Sequence, residues 1–148
     1  MTGPQFDEGV FRHRLPIQIR FIDVDRFGHV NNNYYFAYYD LGKQEYLKEV
    51  LHEDMMGGDL VPVVVHIDAD FFVPVYYGDN IVIETRISHI GEKSFVLQQR
   101  AVNAQSETTV CQCTTIMVCY DLKQNCSVEM PKDYRTKIEK YENANLSK

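Results

Sequence analysis

Acids, a histidine and three consecutive asparagines crowd into one stretch, Asp23-Val-Asp-Arg-Phe-Gly-His-Val-Asn-Asn-Asn33. Such a set can attack an activated carbonyl. That reaction needs a water made nucleophilic, or a carboxylate that attacks directly, beside a carbonyl oxygen held by amide donors. Asp25 stands just before a glycine-containing loop and the expected start of a helix, whose first amides lack intrahelical acceptors and can serve as those donors. Aspartate is equally at home capping a turn, so the residues alone leave Asp25 between a catalytic carboxylate and a turn cap. Asp23 is expected to be structural, holding the loop by accepting backbone amides. His29 is either a hydrogen-bonded scaffold residue or a base. Gly28 lets the backbone follow a tight path, and Asn33 is expected to cap the helix or sit in its first turn.

The element behind this loop is a long helical pattern over residues 34–51. One stripe runs Tyr35, Tyr39, Gly42, Tyr46, Val50, flanked by Tyr34, Tyr38, Leu41, Leu47 and Leu51. Apolar cover this broad predicts a helix enclosed by the fold rather than lying half in water. Gly42 costs roughly 1 kcal/mol of helix propensity against alanine, which points to something packed close to the backbone there. Before the helix, residues 1–14 read as a loose leader and 17–22 alternate as a strand. After it, 60–72, 81–90, 94–103 and 108–120 read as strands, the last three joined by connections short enough for antiparallel neighbours. Pro131 can start a short last helix near 132–141. The order predicts an α+β domain in which a meander of four strands buries one face against the helix.

The chain of 148 residues fits a single domain, 1–148. A formal charge of −6 argues against non-specific nucleic-acid or anionic-membrane binding. No apolar run reaches the eighteen residues of a membrane span, and the first residues carry no signal-peptide pattern. Cys111, Cys113, Cys119 and Cys126 lack zinc-knuckle spacing, and the first three share a strand face. They are expected to be free, mostly buried thiols of a reducing compartment, which places the protein in the cytoplasm. Neither a phosphate-binding glycine motif nor a metal-ligand cluster is evident, so no cofactor is expected.

The stretch from Asp23 through Asn33, continued by Tyr34-Tyr35 and a helix, resembles the signature of the 4-hydroxybenzoyl-CoA thioesterase-like branch of the hotdog-fold acyl-CoA thioesterases. The likeness covers nearly the whole chain. It implies a hotdog fold: a curved antiparallel five-stranded sheet wrapped around the long central helix, with the first strand inserted among the others and a short C-terminal helix. It also implies hydrolysis of an acyl-CoA thioester to free acid and coenzyme A, with Asp25 as the catalytic carboxylate and the amide at Asn32 polarising the carbonyl. Some relatives carry a histidine where this chain has Asn32, a departure that weakens an Asp–His mechanism and leaves His29 as the motif's histidine. The acyl site is expected along Asn33, Tyr34, Tyr35, Tyr38, Met55, Met56 and Gly57, and coenzyme A phosphates near Lys93 and Ser94. Coenzyme A would be part of the substrate. Members of the family pair through strand edges, so a homodimer or a dimer of dimers is expected. Medium or long aliphatic acyl groups are favoured, with aryl groups next. The alternative is a non-hydrolytic acyl-CoA or acyl-carrier binding protein, or a dehydratase-like enzyme on the same scaffold.

Overall fold

The computed structural model describes residues 10–52 and 58–147. In chain order the elements are β1 (His13–Ile17), a 3-10 turn at Phe21–Asp23, α1 (Asn32–Leu51), β2 (Leu60–Phe71), β3 (Ile81–Ile90), β4 (Ser94–Asn103), β5 (Thr108–Asp121), β6 (Cys126–Ser127) and α2 (Lys132–Glu142). The first strand begins earlier than its sequence alternation predicts and ends at Ile17, where it pairs with Ile81. Beyond it the chain turns, because the Asp23 carboxylate draws the Arg20 amide and guanidinium back onto itself. Residues 10–14 are not a loose leader. Phe11 is buried, with the guanidinium carbons of Arg86 and Arg100 lying 4.4 and 4.2 Å from its ring centroid. The remainder of that expected leader, residues 1–9, lies outside the described residues.

The sheet corrects the expected architecture. Its order is β1-β3-β4-β5-β2, with β6 appended to β5, and all pairings are antiparallel. Among the described residues it is therefore an open six-stranded sheet, not a curved five-stranded one wrapped around the helix. The first strand is an edge rather than an insertion, and β2 forms the opposite edge rather than the start of a meander. Only β3, β4 and β5 follow one another. Strand β2 cannot sit beside β3 because β1 and β4 occupy both edges of β3; Leu60 to Phe71 instead run antiparallel along the free side of β5, from Asp121 to Cys111. Residues 63–68 on that edge are exposed.

Helix α1 lies across one face of the sheet. Tyr35, Tyr38, Tyr39, Gly42, Tyr46, Leu47, Val50 and Leu51 are buried, whereas Phe36, Ala37, Leu41 and Gln44 are exposed. Among the described residues the helix thus has a wet flank, contrary to the expectation of full enclosure. Close packing at Gly42 is as the sequence suggests. A Cβ there would stand 2.6 Å from Ile83 Cγ2 and 3.1 Å from Thr85 Oγ1. Beside it, Gln99 Nε2 donates to the Tyr39 carbonyl at 2.8 Å and to Thr85 Oγ1 at 3.1 Å, pinning helix to sheet through a satisfied buried amide.

The core divides along the helix. Towards its end, Tyr46, Leu47, Val50 and Leu51 pack with Ile87, Leu97, Met117 and Ile138. Towards its head, Tyr35, Tyr38 and Tyr39 pack with Val30, Val75, Ile81 and Ile83. The second cluster is the floor on which the polar loop rests. All four cysteines are free; Cys111, Cys113 and Cys119 are buried and Cys126 is exposed. No helix among the described residues is long and apolar enough to cross a membrane.

Candidate active site

The loop between the 3-10 turn and α1 is a small hairpin. Val24 bridges Val30, the Asp25 amide donates to the His29 carbonyl at 2.9 Å, and the Gly28 amide donates to the Asp25 carbonyl at 3.0 Å. Gly28 takes φ +84°, a conformation that costs a glycine little and other residues more. Asp25 Oδ1 accepts the Phe27 amide at 2.9 Å and the His29 amide at 3.4 Å. Both roles left open for Asp25 are therefore compatible. One carboxylate oxygen caps the turn, and the second oxygen of this half-buried group has no hydrogen-bond partner among the described residues.

The head of α1 follows directly. Its cap is Asn31, whose Oδ1 accepts the Asn33 amide at 3.0 Å, so Asn33 is an exposed first-turn residue rather than the cap. Asn32 is the first helical residue and is also exposed. At this position the backbone amide has no acceptor within the helix and carries the positive end of its dipole. Two backbone bonds dock the hairpin. The Asn31 amide donates to the Asp23 carbonyl at 2.9 Å, and the Val30 amide donates to the Val75 carbonyl at 2.7 Å.

Asp23 is sealed from solvent and fully bonded. Its carboxylate accepts the Arg20 amide at 3.0 Å, Arg20 Nε at 3.1 Å, the Arg20 terminal nitrogen at 2.9 Å and the Tyr38 hydroxyl at 2.6 Å. Burial alone would penalise its charge, but the Tyr38 and Arg20 donors outweigh that, and its pKa lies below the usual aspartate value. His29 is half-buried, with its ring edge-on to Tyr76 at 4.9 Å between centroids. It meets Asp25 through its backbone; no imidazole–carboxylate bond joins the two among the described residues.

The other expected site residues are dispersed. Tyr34 is half-buried, with the Arg20 guanidinium 5.8 Å from its ring centroid. Tyr35 and Tyr38 are core residues; Tyr35 packs on Phe71 at 5.2 Å, and burial raises both hydroxyl pKa values. Met55, Met56 and Gly57 lie outside the described residues. Lys93 is exposed in the connection between β3 and β4, and half-buried Ser94 opens β4. The polar loop docks on Val75, near the start of β3, whereas Lys93 and Ser94 follow its far end. At about 3.3 Å per residue the strand between them spans roughly 30 Å. A single subunit does not bring those two residues to Asp25.

What the sequence reading missed is a groove of about 540 Å³ between β1 and the wet flank of α1. Leu15, Ile17, Ala37 and Leu41 line it, together with Tyr38 and Arg20, which are the two residues bonded to the Asp23 carboxylate. A signal was present: Ala37 and Leu41 are four apart, hence on one helix face, yet Ala37 stands outside the aromatic stripe.

The model of the Thioesterase-like superfamily matches residues 19–138. The acyl-CoA thioester hydrolase YbgC of Escherichia coli is 27% identical over 110 residues, covering 73% of this chain and 81% of that protein. The putative acyl-CoA thioesterase YneP of Bacillus subtilis is 24% identical over 129 residues, covering 84% of this chain and 93% of that one. Among solved structures, the PA5185 protein of Pseudomonas aeruginosa superimposes with a TM-score of 0.82 at 25% identity, covering 93% of this chain and 95% of that chain.

Proposed function

This chain belongs to the thioesterase-like superfamily, and on that footing we propose that it hydrolyses acyl-CoA thioesters to a free acid and coenzyme A. The observation that carries the proposal is the docking of the Asp25 turn on the head of α1 through the Asn31 amide and the Asp23 carbonyl. A carboxylate with a spare oxygen and helix amides without acceptors then belong to one small unit. The names of the relatives, acyl-CoA thioester hydrolase and putative acyl-CoA thioesterase, supply the substrate class.

In this mechanism the thioester carbonyl oxygen points at the first amides of α1, with Asn32 the leading donor. Asp25 takes a proton from water as the water oxygen bonds to the carbonyl carbon. The tetrahedral intermediate collapses, the carbon–sulfur bond breaks, and Asp25 returns that proton to the departing sulfur, so that coenzyme A leaves as the thiol. In the alternative route Asp25 attacks the carbonyl carbon directly, the carbon–sulfur bond breaks to expel the coenzyme A thiolate, and water then cleaves the resulting mixed anhydride to the free acid and the Asp25 carboxylate. The helix amides favour the oxyanion on either route, because charge develops where fixed dipoles already point. His29, braced on Tyr76, shapes the turn. The acyl chain is proposed to be medium or long and aliphatic, lying in the groove between β1 and α1, whose volume suits a small-molecule site.

The active assembly is proposed to be a dimer through β2. That edge is twelve residues long and, among the described residues, unpaired on its outer side, and it exposes Val63, Val64, Val65 and Ile67. Bare edges of this kind pair with another chain. Lys93 and Ser94, remote within one subunit, would then meet substrate only across subunits.

The test is free-thiol release from acetyl-, hexanoyl-, decanoyl-, palmitoyl- and benzoyl-CoA by the wild type and by Asp25→Asn. The expected result is turnover of at least one substrate and a fall in kcat of about 100-fold or more in the variant, the range for loss of a general base. Failure to cleave any of the panel, or an unchanged rate in Asp25→Asn, would overturn the proposal.

A further inference from the structure

Resting on the hydrolase reading above, we infer that Asp23 is a positioning residue for the reaction, holding the turn that carries Asp25 at a fixed distance and angle from the head of α1. It touches neither water nor any open surface, being 0% exposed, so it acts only through what it holds. An ionised carboxylate is expensive to bury unless every oxygen is bonded. This one is saturated by four donors.

Those donors divide into two kinds. The three from Arg20 are local, and they account for the 3-10 turn that precedes the loop. The bond from the Tyr38 hydroxyl is not needed for that turn. It crosses fifteen residues of sequence at 2.6 Å, to a side chain well into α1. A hydroxyl–carboxylate bond this short is charge-assisted and directional. Tyr38 has no freedom to follow a moving loop, because its ring is buried in the cluster beneath the helix head and stands edge-on to Tyr35, which in turn packs on Phe71.

The same residue grips the helix a second time through its backbone, since the Asp23 carbonyl accepts the amide of the cap residue Asn31. Asp23 therefore ties two points of α1, its cap and its second turn, to a spot two residues before Asp25. The Asp25 turn closes on itself through Gly28 and His29, so it moves as a unit. Its orientation towards the helix amides then depends on the ties at its base, principally those at Asp23. The donors keep Asp23 ionised by lowering its pKa, as described above. A misplacement of about 1 Å between reacting groups can cost roughly 100-fold in rate.

Full-length wild type, Tyr38→Phe, Asp23→Asn, Asp25→Asn and Tyr46→Phe would be compared for kcat, KM, melting temperature and amide hydrogen exchange. Tyr38→Phe fills the same space and should fold even if Asp23→Asn does not. It is expected to lower kcat about 10-fold, and Asp23→Asn about 100-fold, each with KM within about twofold and with faster exchange across residues 25–33. Tyr46→Phe is the control. It removes another hydroxyl–carboxylate bond of the same helix, part-buried and 2.5 Å to Glu142, and should lower the melting temperature while leaving kcat and exchange at 25–33 unchanged. If Tyr38→Phe behaves like Tyr46→Phe, losing stability but keeping kcat and loop protection, Asp23 is merely structural and the inference falls alone. A shift confined to KM has the same consequence. Absence of turnover by the wild type sinks the hydrolase reading and takes the inference with it.

Discussion

Asp23 and Asp25 stand two residues apart, yet one is sealed under the loop with its charge fully bonded and the other is half-buried with an oxygen to spare. The difference lies in their neighbours, and pH can test it. Donors from Tyr38 and Arg20 hold the Asp23 pKa in the folded protein below its unfolded value, which is near 3.9. The folded state therefore binds fewer protons at this residue. Its stabilising contribution is present above that unfolded value and is lost as pH falls through the folded one. Urea unfolding of wild type and Asp23→Asn between pH 7 and pH 2.5 should show the wild type ahead at neutral pH and the gap narrowing below about pH 4. A gap that stays constant through that range would mean that Asp23 titrates alike in both states.

At the scale of elements, α1 serves two faces with opposite demands. On the sheet side, Gly42 admits Ile83 against the helix backbone, and alanine would place a methyl group 2.6 Å from Ile83 Cγ2. Alanine gains about 1 kcal/mol of helix propensity there, but overpacking a tight core costs about 1–3 kcal/mol. Because the obstructing atom is a branched methyl near its own backbone, the steric cost should win. Gly42→Ala is expected to lower the melting temperature, and a rise measured by circular dichroism would show that the contact yields freely. On the wet side, Ala37 is the small residue of the groove. Ala37→Phe should fill that space and cut kcat/KM for decanoyl-CoA at least 10-fold while sparing acetyl-CoA. In the wild type, each buried methylene contributes about 0.8 kcal/mol, close to fourfold per carbon. Equal losses on both substrates, or a flat wild-type profile from acetyl to decanoyl, would remove the groove from the acyl site.

For the whole molecule, the open sheet leaves two edges. Strand β1 is short, and the chain immediately before it is anchored by Phe11 under two guanidinium groups. Strand β2 is long, exposed and rich in β-branched residues, with a register irregularity between Val64 and His66. Lysine on such an edge opposes pairing with another chain. Sedimentation equilibrium of the wild type at micromolar concentration should give the mass of a dimer or a tetramer, whereas the double variant Val65→Lys/Ile67→Lys should sediment as a smaller species. A monomeric wild type, or a double variant with unchanged mass, would rule out β2 as the seam.

Much was decided locally and could be read from the chain. Strands β3 and β4 run from Ile81 to Ile90 and from Ser94 to Asn103, where alternation placed them, and α2 starts after Pro131. The long helix was legible from its aromatic stripe, and Gly42 from its oddness within it. Alternation, turn residues and caps are properties of a few neighbouring residues, so they survive without knowledge of the fold. The polar loop was likewise legible, as a turn leading into the head of the helix. Strand order was not legible, because pairing β2 with β5 and β1 with β3 joins residues some forty to seventy positions apart, and many orders bury the same faces. The premature end of β1 depended on Arg20 meeting Asp23, and the burial of Asp23 on Tyr38 arriving from the helix. The groove exists only because an open sheet leaves one flank of α1 uncovered. Periodicity can say that a helix has an apolar stripe, but how much of its remaining surface meets protein is settled by the relative placement of elements distant in sequence.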